Sequence, residues 1–186
     1  MKEIISKILQ LSKWYGIGTV IIYSLLIAEY FSTVNQLFLY SESNNIFIII
    51  SRISYIVIIL FGVIVWIVST FLFHLTALLF DGKSSFERLL FVSSYPYIIP
   101  ATMILVGIFL LDGIQVPNSE DAVAFLIDNK IFKLTAILIN YSFIPYYLII
   151  SLLIRYIHQI KYLYALLSVI IPVLSIWLIT ELFRLI

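Results

Sequence analysis

The sequence predicts an all-α polytopic membrane protein: one domain of five transmembrane helices, with a short interfacial helix between spans two and three. Three observations carry this. First, 63% of the 186 residues are hydrophobic and only 11% charged, with a mean hydropathy of +1.14. A soluble surface needs more polar side chains than that. Second, the uncharged runs are long. Ile53 to Phe80 carries only His74, while Leu89 to Leu111, Leu134 to Ile154 and Tyr162 to Thr180 carry no charge at all. About 20 apolar residues in a helix cross a hydrocarbon core of about 30 Å. Third, the runs are continuous and do not alternate, which argues against a β-barrel.

Span one is predicted at residues 14–37. The basic flank MKEIISKILQLSK precedes it, and no small-residue cleavage site follows, so it reads as a retained anchor. Span two covers residues 53–80 and ends at the turn DGKSSFE. Span three covers residues 96–111, entered through Pro96 and kinked near its start by Pro100. In the following segment Pro117-Asn118-Ser119 opens a short helix, with Glu120 and Asp121 in its first turn, where the helix dipole favours acids. Val123, Leu126 and Ile127 would face the membrane surface. Spans four (134–156) and five (162–182) form a hairpin around the short turn His158 to Lys161.

Positive charge sorts by side. Lys2, Lys7, Lys13, Lys83, Arg88, Arg155 and Lys161 fall on the N-terminal side, against Arg52, Lys130, Lys133 and Arg184 on the other. The bias predicts a protein of the cell membrane, N-terminus cytoplasmic and C-terminus outside.

Composition also excludes chemistry. Without cysteine there is no disulfide, thiol catalysis or cysteine-based metal site. A net charge of +1 gives no electrostatic case for nucleic acid. Gly82-Lys83-Ser84 is the tail of a phosphate-cradling loop, but the position five residues before Gly82 is Ala77, and HLTALLF is a helix end, not a strand. No nucleotide or other cofactor is expected, and no catalytic set appears, so the chain reads as a non-enzyme. His74 with His158 offers two metal ligands near one face, short of a site.

The plainer reading of DGKSSFE is a helix-to-helix turn. Gly82 takes the left-handed C-cap position. Ser84 and Glu87 form a capping box that starts a new helix. Phe86, Leu89, Leu90 and Ser93 share a face on which that helix lies along the membrane interface.

The stretch HLTALLFDGKSSFERLLFVSSYPYIIP resembles the Yip domain family, the Ypt/Rab-interacting five-span membrane proteins. The matching positions are His74, Leu75, Gly82, Lys83, Ser85, Phe86, Tyr95, Pro96 and Pro100. Leu152 to Leu174, with Ala165 and Pro172, is similar more weakly. The 13 residues before span one and the lack of Asp-Leu-Tyr resemble the shorter prokaryotic branch. The resemblance implies a five-span scaffold or adaptor that organises lipid or partner membrane proteins, through the bilayer, other membrane proteins or self-association.

Polar groups inside the spans point to the alternative. Glu29 lies about 22 Å along the helix from Trp14, at about 1.5 Å per residue, and Asn140 and Trp66 fall at similar depths. A cluster of Glu29, Asn140 and Trp66 would form a cation or proton site, and the chain would then be a small transporter or channel subunit; the plainer reading is a Glu29 that snorkels or hydrogen-bonds to neighbouring helices. Pro145 and Pro172 would make a hinge or kinked seam in spans four and five, or be tolerated bends.

Overall fold

A computed structural model describes residues 10–38, 45–116 and 122–184. Seven α-helices are described there, and no strand occurs among those residues: α1 (Lys13–Phe38), α2 (Asn45–Leu79), α3 (Phe86–Ser93), a 3-10 turn (Tyr95–Tyr97), α4 (Ile98–Asp112), α5 (Ala122–Asp128), α6 (Lys130–His158) and α7 (Tyr162–Arg184). Among the described residues, five segments are long and apolar enough to cross a membrane: α1, Ile50–Leu79 of α2, Phe86–Asp112, α6 and α7. The third of them joins α3, the 3-10 turn and α4, because α4 alone has 15 residues, about 22 Å.

The boundaries follow local chemistry. Asn129 caps α6, its Oδ1 accepting from the Ile131 and Phe132 N–H groups at 2.9 and 3.2 Å. Pro145 and Pro172 lie inside unbroken α6 and α7, so each is a proline tolerated within one helix. Pro100 is the third residue of α4, where its missing N–H costs no helical bond.

The chain divides into two compact units. The first takes the described residues of Met1–Gly18, Ile64–Pro96 and Pro145–Ile186. Phe73, Ala77, Leu89, Ile150, Leu153, Ile154 and Val169 are buried here. The start of α1 is fixed to α3: Lys13 Nζ reaches Glu87 Oε1 at 2.7 Å and sits over the Phe91 ring, and the Tyr95 hydroxyl donates to the Leu11 and Ser12 carbonyls.

The second unit takes the described residues of Thr19–Val63 and Tyr97–Ile144. Leu111, Ile114 and Leu126 form a cluster against which Tyr30, Val34 and Phe132 pack. Leu126 is therefore turned into the protein and not to the membrane surface, while Ile127 remains exposed. The helix-opening residues expected at 117–121 lie outside the described residues, as does the side chain of Val123. At Gly62 a Cβ would stand 2.6 Å from Ser24 Oγ and 3.2 Å from the Ser24 Cα, so α1 and α2 approach closely there.

Candidate functional site

The turn after α2 is built differently from the sequence expectation. Asp81, not Gly82, takes the left-handed conformation, with φ 63°. Its N–H donates to the Leu78 carbonyl at 3.1 Å, and the Gly82 N–H donates to Ala77 O at 3.0 Å. These are the two bonds of a Schellman motif with Asp81 at C′. Gly82 is needed for space. A Cβ there would lie 2.5 Å from His158 Nδ1 and 2.6 Å from the Ala77 carbonyl oxygen.

His158 is the reason. It ends α6, wholly buried, and the turn closes over it. The Lys83 N–H donates to the His158 carbonyl at 3.3 Å, which satisfies one of the open carbonyls at the helix end. The Ser84 N–H donates to His158 Nδ1 at 3.4 Å. A backbone N–H can only donate, so in the neutral ring the proton sits on Nε2. Nε2 then donates to His74 Nδ1, 3.4 Å away. The two rings are 5.2 Å apart and tilted, and Phe86 packs on His74 at 5.7 Å and edge-on to Phe71. Among the described residues no group of three or more His, Asp or Glu could hold a metal.

The capping box is overturned. The N-cap of α3 is Ser85, with no side-chain cap bond, and Glu87 is drawn to Lys13 instead. The apolar face of α3 is also spent inside the protein. Leu89, Val92 and Ser93 are buried, while Phe86 and Leu90 are half-buried. One step above the histidines, Ser93 Oγ accepts from Trp66 Nε1 at 3.2 Å and shares a 2.8 Å bond with Thr70 Oγ1. Tyr95 holds the start of α1, Pro96 sits in the 3-10 turn, and Pro100 is buried in α4.

The intramembrane polar residues do not form the cluster that depth alone suggests. Trp66 is committed to Ser93. Glu29 is exposed on α1, with the Tyr55 hydroxyl of α2 beside it. Asn140 lines a different feature, an open cavity of about 300 Å³ with Tyr30, Phe31, Ile104, Ala136 and Phe143. Glu29 is not part of its lining. Tyr30 donates to or accepts from Thr135 Oγ1 at 3.3 Å. A smaller cavity of about 90 Å³ lies beside Pro172, lined by Ser69, Phe73 and Tyr147.

Sequence reasoning missed Tyr55 as the partner of Glu29, and it missed the Trp66–Ser93–Thr70 set. Trp66, Thr70 and His74 are spaced four apart on α2, and that stripe of polar groups on one face was the available signal. Compared with family models, with curated proteins and with solved structures, the chain gives no match.

Proposed function

We propose that this chain is a non-enzymatic integral membrane protein of Yip type, a scaffold or adaptor that organises partner membrane proteins. The observation that carries the reading is the use of the family-like turn. His74, Gly82, the Lys83 backbone and Phe86 are consumed in joining the ends of α2 and α6, and Tyr95 holds the start of α1. Internal hydrogen bonds and packing are what hold helices together in lipid. Residues so engaged serve architecture. The orientation follows the charge bias: N-terminus cytoplasmic, C-terminus outside, in the cell membrane.

The outward surface for partners is α2. Ile53, Ile56, Leu60 and Ile64 stand 57%, 61%, 58% and 53% exposed along one face. The test places a photo-crosslinkable residue at Leu60 in the full chain and irradiates native membranes. A reproducible membrane-protein adduct supports the scaffold, and adducts to lipid alone overturn it. The transporter alternative is weaker, because Glu29 and Asn140 have separate surroundings. Wild-type flux in liposomes that falls in Glu29→Gln would restore it.

A further inference from the structure

The Asn140 cavity has a chemistry that the scaffold reading does not use. Asn140 is seven residues along α6 from Lys133, the last charged residue before the span, about 10 Å, which is well inside a hydrocarbon core of about 30 Å. Its amide has two donors and an acceptor. No hydrogen bond from that side chain occurs among the described residues, and the Tyr30 hydroxyl nearby is engaged with Thr135. An open amide in hydrocarbon, where no water supplies a partner, is costly. No Asp, Glu, Lys, Arg or His lines the cavity, so nothing there would balance the charge of an ion.

The walls define the rest. Tyr30 and Phe31 form an aromatic corner, ring centres 5.9 Å apart at 80°, and Phe143 adds a third ring. Such faces and edges favour another planar ring. An apolar cavity of about 150 Å³ takes up benzene, so about 300 Å³ fits two fused rings or one ring with a short chain. Phe31 is 44% exposed on α1, and Asn140 is also exposed. The mouth therefore lies at mid-helix depth, and entry is sideways from the lipid.

We infer that this cavity binds a neutral, lipid-soluble ring compound of the quinone class, with one carbonyl oxygen accepting a hydrogen bond from the Asn140 amide. The aromatic corner takes the ring, and the chain trails into the bilayer.

The test uses the purified full chain in phosphatidylcholine nanodiscs and a prenylated naphthoquinone whose chain carries a diazirine. Saturable labelling of α1 and α6 around residues 27–31 and 136–143 is expected, displaced by the unlabelled quinone. Ala136→Phe fills the cavity and should abolish labelling. Asn140→Leu keeps the volume but removes the amide, and should weaken binding about tenfold, the worth of one desolvated hydrogen bond. Asn140→Gln should recover part of that loss. Should Ala136→Phe fail to give a monodisperse protein, Asn140→Leu decides alone. Three results overturn the inference. One is labelling that does not saturate, or that survives Asn140→Leu unchanged. Another is a diazirine-acyl phosphatidylcholine that labels the same residues and is not displaced by the quinone. The third is an efficient Asn140→Cys self-disulfide in native membranes, since a second copy would then cover the cavity.

Discussion

Gly82→Ala should be among the most damaging single-methyl changes in this chain. The backbone at Gly82 is not left-handed, so the cost is purely one of space. Ordinary contact begins near 3.4 Å, and the new Cβ would lie 2.6 Å from a backbone oxygen and 2.5 Å from a buried ring. The turn must retreat by about 0.8 Å from Ala77. That stretches the Gly82–Ala77 bond from 3.0 Å and takes the Lys83 and Ser84 bonds to His158, already 3.3 and 3.4 Å, out of range. Three bonds at about 1 kcal/mol each give a loss of about 3 kcal/mol. At about 2–4 °C per kcal/mol for a chain of this size, the melting temperature should fall by about 9 °C. The assay is the fraction remaining monodisperse by gel filtration after heating in dodecylmaltoside. His158→Ala removes one of the two clashing groups, so the double variant should lose less than the two singles added, by about 1 kcal/mol. A Gly82→Ala protein that melts within about 2 °C of wild type would refute the close-approach argument.

Four further outcomes are expected from the same melting assay. Asp81→Val, forced into the left-handed conformation at φ 63°, should cost about 1–2 kcal/mol, whereas Asp81→Asn should be neutral. Ser93→Ala strips the acceptor from Trp66 and the partner from Thr70 and should cost about 1–2 kcal/mol. Ser24 Oγ is buried without a hydrogen-bond partner, so Ser24→Ala should be neutral or raise stability by up to about 1 kcal/mol. Asn129→Ala removes the cap of α6 and should cost about 1 kcal/mol.

The spans were legible because a bilayer imposes length and polarity directly on the sequence. Predicted residues 134–156 and 162–182 fall within helices Lys130–His158 and Tyr162–Arg184. The detail of the turn was not legible, and each error has a physical cause. Ser84-Ser85 offers two neighbouring caps, and the capping-box spacing of Glu87 favours Ser84. Lys13, 74 residues away, takes that carboxylate instead. Gly82 suits a left-handed position, but His158 claims the empty side of its backbone, and the next-best residue, Asp81, takes the left-handed position. Nothing local to DGKSSFE announces His158. For Glu29, Asn140 and Trp66, counting residues along each helix sets depth but not rotation, and rotation decides partners. Tyr55 and Ser93 took two of them, and a cavity the third.

The clasp on His158 also sets an order of events during biosynthesis. Lys83 and Ser84 leave the ribosome early, but the residue that accepts from both lies 74 positions beyond Ser84. At about 5–20 residues per second, the turn waits roughly 4–15 s before its partner has been synthesised. Until then the Lys83 and Ser84 N–H groups and His74 Nδ1 lack their His158 partner. Arrival of the end of α6 satisfies all three groups together. The fourth span thus closes a joint left open by the second, and a nascent chain halted before residue 158 would hold that joint open.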